Sequence, residues 1–108
     1  MCGLVGVLYK GSNGFCASDR DIFEDMLYID ALRGDDSVGV AAFYNDGSAE
    51  LVKEALIHVM DFLEEEPYKK VHDALLAKGK AVIGHNRKAT KGKVVEENAH
   101  PWLIDNRF

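Results

Sequence analysis

The sequence predicts an α+β fold, in which strands are grouped rather than strictly alternating with helices. The first indication is a hairpin: apolar residues 37–44 precede the turn sequence Asn45-Asp46-Gly47-Ser48, and residues 50–57 would pair back as the next strand. The second is a pair of further apolar runs, residues 2–9 and 80–86. A segment with helical spacing of its apolar residues lies between each run and the hairpin.

The N-terminal part predicts a strand followed by a helix. Residues 2–9 have the apolar and β-branched content of a buried strand, and Gly3 and Gly6 within it suggest close approach of a ligand or another backbone. After a loop, Ser18 is the predicted N-cap and Gly34 the predicted stop of the helix. Its apolar face comprises Ile22, Phe23, Met26, Leu27 and Leu32.

The second half predicts more helix and one more strand. A helix is expected over residues 59–66, and Pro67 either breaks it or opens a second helix over residues 68–77. Gly79 is the predicted end of that helix, and residues 80–86 are the fourth predicted strand.

Composition narrows the class of function. The chain has 108 residues, which fits one compact domain or part of a larger one, and its net charge is −5. An acidic chain is a poor general nucleic-acid binder, because phosphate neutralisation needs a basic face. No apolar run approaches the roughly 20 residues that span a bilayer, and no basic segment precedes the first run. We therefore expect a cytoplasmic protein with neither nucleic-acid nor membrane partners.

No cofactor or metal is expected either. The four histidines show no short-spaced pair, and Cys2 and Cys16 form no Cys-x-x-Cys motif. The chain also contains neither Gly-x-Gly-x-x-Gly nor a Walker loop, so nucleotide binding has no support.

Cys2 is a candidate nucleophile because of its position. If Met1 is removed, as we expect, one residue carries both a thiol with a pKa near 8.5 and an α-amine with a pKa of about 7.7–8.0. The amine could then take the thiol proton directly or through water. From position alone, however, a small buried apolar residue on a strand is the more common explanation of such a cysteine.

The segment Gly84-His85-Asn86-Arg87-Lys88-Ala89-Thr90-Lys91-Gly92 is a candidate binding loop. It leaves a predicted strand, and Arg87 offers a planar fork that matches a carboxylate. Thr90 adds a hydroxyl group. Taken alone, a surface loop with solvated basic residues explains this segment more often.

Three segments together resemble the class II glutamine amidotransferases. Residues 1–7, Met-Cys-Gly-Leu-Val-Gly-Val, are similar to the opening of that family, and residues 33–41 resemble its Arg-Gly-x-Asp-Ser-x-Gly segment. Residues 84–92, followed by Glu97-Asn98-Ala99-His100-Pro101, resemble its glutamine-binding loop. The order and spacing make the joint match specific. It covers nearly the whole chain and is closest to the glutaminase half of the glucosamine-6-phosphate synthases.

This resemblance implies an N-terminal nucleophile hydrolase fold, an αββα sandwich with two antiparallel sheets between helices. Residues 1–108 would be the N-terminal portion of a type-2 glutamine amidotransferase domain, apparently incomplete. The Asn-Gly pair of the family oxyanion hole and an aspartate that receives the substrate amine would lie beyond it. We therefore expect the 108-residue chain alone to be a poor or inactive glutaminase that tends to self-associate.

The resemblance also implies roles for individual residues. Cys2 would attack the side-chain amide of L-glutamine, giving a thioester, ammonia and then glutamate. Arg87 would bind the α-carboxylate, and Lys88, Thr90 and Lys91 would line the substrate, although Lys88 and Lys91 replace a common tryptophan and histidine. The supporting residues would be Gly3, Arg33, Asn98 and His100. The ammonia would pass to a synthase or acceptor domain in cis or in trans.

Two alternatives remain open at this stage. The chain could be a truncated, non-catalytic relative that acts as a binding or assembly module. It could also be an N-terminal cysteine amidase for other amides, against which the combination of Arg87 with Thr90 argues.

Overall fold

A computed structural model describes residues 3–9, 14–31, 36–87 and 101. The elements follow in the order β1 (Gly3–Leu8), α1 (Ala17–Asp30), β2 (Ser37–Tyr44), β3 (Ala49–Ala55), α2 (Val59–Glu64), α3 (Glu66–Leu75) and β4 (Gly79–Arg87). The mixed content with an antiparallel sheet is compatible with the predicted α+β class. The second sheet of an αββα sandwich stays a prediction, since the described residues form one sheet.

The four strands lie in the order β1-β4-β2-β3, and every neighbouring pair is antiparallel. The hairpin of β2 and β3 is the predicted one. Its turn uses Gly47 at φ 89°, and the Asp46 carboxylate accepts hydrogen bonds from the Ser48 N–H and hydroxyl groups. β4, the last of the described strands, lies between β1 and β2, so the first and the last described strands are neighbours in the sheet.

The core lies between one face of the sheet and the helices. Alternate residues of β2 and β4 are fully buried there, because successive side chains of a strand point to opposite faces. They pack against α1 and α3. The largest side chains of this core belong to Phe15, Phe23, Leu27, Tyr44, Ile57, Phe62, Tyr68 and Leu75. Burying each large apolar side chain contributes about 1.5–3 kcal/mol.

Gly84 sets the close approach of α1 to the sheet. A Cβ atom at this position would lie 2.7 Å from the Leu27 Cδ1 atom and 3.0 Å from the Phe23 Cζ atom. The Leu27 and Phe23 side chains therefore rest directly on the β4 backbone. A side chain at position 84 would require these two side chains to shift.

The start of α1 differs from the prediction. Ser18 is not the N-cap; Cys16 is, and Ala17 is the first helical residue. The Asp19 carboxylate accepts hydrogen bonds from the Cys16 N–H at 3.0 Å and from the Cys16 thiol at 3.2 Å. These bonds, the backbone one first, lower the pKa of Asp19. The predicted stop at Gly34 lies outside the described residues.

The end of α3 also differs from the prediction. The proline alternative resolves in favour of a new helix, because Pro67 lies in the first turn of α3. Gly79 does not end that helix, which stops at Leu75. Ala77 makes the reversal at φ 66°, and its N–H donates to the Phe15 carbonyl oxygen at 3.0 Å, so Gly79 is free to begin β4.

A polar network joins α1 to α3 across the core. The Glu24 Oε2 atom accepts a hydrogen bond from the Tyr68 hydroxyl at 2.7 Å and lies 2.6 Å from the His72 Nδ1 atom. The Arg20 Nη1 atom donates to the His72 carbonyl oxygen at 3.1 Å. Burial, followed by the negative charge of Glu24, raises the pKa of Tyr68. None of the described helices has the length and apolar character that crossing a bilayer requires.

Candidate functional site

The start of β1 and the end of β4 lie side by side at one end of the sheet. Gly3, the first residue of β1, pairs with Asn86 in antiparallel register. Arg87 is the last residue of β4, and it pairs with Ser37 at the start of β2. Gly3, Ser37 and Arg87 come from three separate sequence motifs, and the strand order brings them to one place.

Two of the residues that the sequence assigns to the site, Gly3 and Arg87, belong to the described part of the chain, and the strand pairing places Gly3 beside Asn86, the neighbour of Arg87 in sequence. The others lie outside the described residues. They are Cys2, Arg33, Lys88, Thr90, Lys91, Asn98 and His100.

Backbone hydrogen bonds hold Arg87 at the rim of the sheet. Its carbonyl oxygen accepts from the Asp36 N–H at 2.8 Å, and the Asp36 carbonyl oxygen accepts from the Leu56 N–H at 2.7 Å. Asp36 thus ties the ends of β4 and β3 together. Arg87 is half-buried, and its backbone is anchored at the end of β4. A guanidinium is a planar fork that suits bidentate binding of a carboxylate.

The two faces of the sheet have different roles at this end. Asn86 points towards α1, because its side chain donates to the Leu27 carbonyl oxygen. By strand alternation, Arg87 belongs to the opposite face. Leu4 and Leu8 of β1 share that face and are 68% and 64% exposed. The candidate site is therefore on the sheet face opposite the described helices, where Leu4 and Leu8 are exposed but Ser37, Ala41 and His85 are buried.

Ser37 adds a buried hydroxyl beside Arg87. The side chain is only 1% exposed, and within the described part of the chain its Oγ atom has no hydrogen-bond partner. A buried polar group without a partner is costly. Sequence reasoning included Ser37 in a motif but gave it no role.

A second polar cluster lies beneath Gly3 on the helix face. The Asn86 Nδ2 atom donates to the Leu27 carbonyl oxygen at 2.9 Å and to the Asp30 Oδ2 atom at 3.2 Å. A Cβ atom on Gly3 would overlap the Asp30 carboxylate. Asn86 is fully buried, and its Oδ1 atom has no donor among the described residues.

Sequence reasoning missed Asp30 entirely. A usable signal was present: Asp30 is the last residue of α1, where the helix dipole disfavours a carboxylate, and the last turn contains no basic residue. A carboxylate at the C-terminal end of a helix is therefore expected to have a hydrogen-bond donor or a cation as its partner. The neutral Asn86 side chain supplies one such donor to Asp30.

The Cys16 thiol and possible metal ligands are weaker candidates for a functional site. Cys16 is an exposed free thiol, and its hydrogen bond to Asp19 is part of a helix cap. Within the described residues, no group of three or more His, Cys, Asp or Glu side chains is arranged to hold a metal ion.

A surface depression near the end of β3 is acidic. Its walls comprise Glu54, Leu56, Ile57, Asp61, Glu64 and Glu65. Four carboxylates would repel the α-carboxylate of an amino acid, so this depression does not compete with Arg87 as a place for such a substrate.

Comparison with known proteins finds relatives that match nearly the whole chain. This chain is 34% identical over 106 residues to a glutamine--fructose-6-phosphate aminotransferase (isomerizing) of Bartonella henselae, and the matched region covers 97% of this chain and 15% of the relative. The protein of the same name from Lactiplantibacillus plantarum is 37% identical over 109 residues, covering 100% of this chain and 16% of the relative. The chain thus spans about 15% of the length of these relatives and corresponds to a partial, amidotransferase-like region of them.

No family model matches the chain. Among solved structures, it resembles a chain from a structure titled "Complex of beta-clamp processivity factor and little finger domain of PolIV". The TM-score is 0.58 at 10% identity, with 99% of this chain and 100% of that chain covered. At so low an identity, the likeness concerns the fold alone.

Proposed function

We propose that the chain contributes to a glutaminase centre, as the N-terminal portion of a type-2 glutamine amidotransferase domain. The observation that carries the proposal is the pairing of Gly3 with Asn86. Cys2 is bonded to Gly3 and Arg87 follows Asn86, so the proposed nucleophile and the proposed carboxylate anchor leave the sheet at the same end. Similarity to glutamine--fructose-6-phosphate aminotransferases supports the choice of glutamine.

The proposed chemistry begins with removal of Met1. The Cys2 thiol then gives its proton to its own α-amine, and the thiolate sulfur attacks the amide carbon of glutamine. The carbon–nitrogen bond breaks, and the proton held by the amine leaves with the ammonia. Water hydrolyses the resulting thioester, which releases glutamate and restores the thiol.

The remaining residues of the proposal bind and support the substrate. Arg87 pairs with the α-carboxylate through its planar fork, and Lys88, Thr90 and Lys91 line the substrate. The residues that support the site are Gly3, Arg33, Asn98 and His100. The ammonia passes to an acceptor domain in cis or in trans; the relatives' name points to fructose 6-phosphate as their acceptor.

A second candidate function is a non-catalytic binding or assembly module. The observation that favours it is the exposure of Leu4 and Leu8 on the uncovered face of β1, an edge strand of the described sheet. Edge strands with exposed apolar residues tend to associate. This module would self-associate and would not react with glutamine analogues.

The test is covalent labelling with a diazo-ketone analogue of glutamine. The protein is prepared with Met1 removed, as the 108-residue chain and in any longer form that contains it, and the labelled peptides are identified by mass spectrometry. We expect Cys2 to be labelled and protected by glutamine in whichever form carries an intact site, whereas Cys16 is spared in every form. Labelling of Cys16 alone, or labelling of Cys2 that glutamine does not compete with, would refute the proposal.

A further inference from the structure

Asp30 and Asn86 form a site beneath Gly3 to which the proposed function, as stated above, assigns no role. Both side chains come from elements that cross at the start of β1, the C-terminal end of α1 and the end of β4. Their contact is direct, since the Asn86 Nδ2 atom lies 3.2 Å from the Asp30 Oδ2 atom.

This site has the character of a cation receptor. Asp30 brings a carboxylate to a helix end where backbone carbonyl groups already concentrate partial negative charge. The fully buried Asn86 carboxamide offers an oxygen that no described donor satisfies. Carbonyl and carboxylate oxygens together favour a group with several N–H donors, and an ammonium group has three.

The chain can place one ammonium group within reach. A bonded Cα neighbour lies about 3.8 Å away, so the α-amine of Cys2 lies within about 5 Å of the Gly3 Cα atom. The Asp30 carboxylate occupies the space directly against that Cα atom, which only a glycine leaves open. Opposite charges at about 4–6 Å shift a pKa by roughly 1–3 units.

Other charged groups on the neighbouring elements face elsewhere. β1 carries no titratable side chain, and His85 and Arg87 of β4 belong to the opposite face of the sheet by alternation. On α1, Glu24 is engaged by Tyr68 and His72.

Charged side chains on the other elements near α1 also lie away from the start of β1. Asp61 and Glu64 of α2 line the acidic depression, and Lys80 lies at the far end of β4. Within the described part of the chain, Asp30 is therefore the charged group placed against the start of β1.

We propose that Asp30, held by Asn86, is a positioning residue that binds the α-ammonium group of Cys2 once Met1 is removed. This inference rests on the proposed function, because in that function the amine accepts and holds the thiol proton. A carboxylate beside the amine favours the pair of thiolate and ammonium over the neutral pair.

The experiment measures the pKa of the Cys2 amine directly. The 108-residue chain is labelled with [¹⁵N]cysteine, Met1 is removed, and the thiols are capped as methyl disulfides so that only the amine titrates. The ¹⁵N shift is followed against pH by NMR, with the amide of Cys16 as an internal reference. We expect an amine pKa at least about 1 unit above the ordinary range of 7.7–8.0, returning to that range in urea.

The variants separate charge from structure. Asp30→Asn should lower the amine pKa by about 1 unit or more, and Asp30→Glu should retain much of the shift. Asp25→Asn removes an exposed carboxylate of the same helix and should leave the amine pKa unchanged. An ordinary amine pKa in the folded wild type overturns the inference even if a variant fails to fold, and so does an unchanged pKa in folded Asp30→Asn. Because no glutamine is involved, failure of diazo-ketone labelling is a separate result that bears on the glutaminase proposal alone.

Discussion

Substitution of Tyr68 by phenylalanine tests how strongly the Glu24 network fastens α1 to α3. The tyrosine is fully buried, and its hydroxyl donates to a carboxylate at 2.7 Å. A hydrogen bond to a charged group contributes about 1.5–3 kcal/mol. Phenylalanine keeps the ring and its contact with Phe62, at a centroid distance of 5.5 Å, so the change removes little besides the hydroxyl group.

We therefore expect Tyr68→Phe to lower the free energy of unfolding by about 1.5–3 kcal/mol. In a domain of this size, that corresponds to a decrease in Tm of about 6–24 °C. Urea unfolding at pH 7, followed by circular dichroism, gives the value. Tyr28→Phe is the matched control, because Tyr28 is 48% exposed on α1, and its change should stay within about 0.5 kcal/mol.

A double-mutant cycle with Glu24→Gln isolates the pair. If the hydrogen bond carries the effect, the coupling energy between positions 24 and 68 should exceed about 0.5 kcal/mol, as is usual for residues in one network. A coupling near zero, with Tyr68→Phe as mild as Tyr28→Phe, would refute the assignment of this network as the main polar link between the helices.

Three further outcomes are expected. Burial first, and then a neighbouring glutamate, raise the pKa of both Tyr44 and Tyr68. The contribution of the two neutral phenols to the free energy of unfolding is therefore fully present below pH 10. It should be lost progressively as the pH rises above 10. Spectrophotometric titration and unfolding curves check this, and Tyr68→Phe should flatten the alkaline decline. Gly84→Ala should lower the free energy of unfolding by about 1–3 kcal/mol in urea titrations, because its Cβ would overpack Leu27 and Phe23; unchanged stability would mean that α1 can shift freely. Arg87→Lys keeps the charge and loses the fork, so glutamine should protect Cys2 from the diazo-ketone about 10–150-fold less well; equal protection would place the α-carboxylate elsewhere.

The proposed site and the proposed amine receptor lie on opposite faces of the same strand ends. Arg87 belongs to the sheet face opposite the described helices, whereas Asp30 reaches Gly3 from the helix face.

Local patterns in the sequence determined the strands, the helices and the hairpin turn. Periodicity of two or 3.6 residues, a turn of Asn45-Asp46-Gly47-Ser48, and Pro67 as a helix opener all act over a few residues, so they can be read without the fold. The motif order that resembles class II amidotransferases was also readable. Even so, helix ends were placed wrongly at Ser18 and Gly79, because Cys16 and Ala77 make caps and reversals that depend on contacts with Asp19 and Phe15.

Only the tertiary structure decided which strands are neighbours. No local pattern predicts that β4 lies between β1 and β2, because residues far apart in the sequence, such as Gly3 and Asn86, pair there. The same long-range packing placed the Asp30 carboxylate against Gly3 and left the Asn86 oxygen buried without a described donor. Such contacts arise when the burial of many apolar side chains fixes the register of whole elements, which a short stretch of sequence cannot specify.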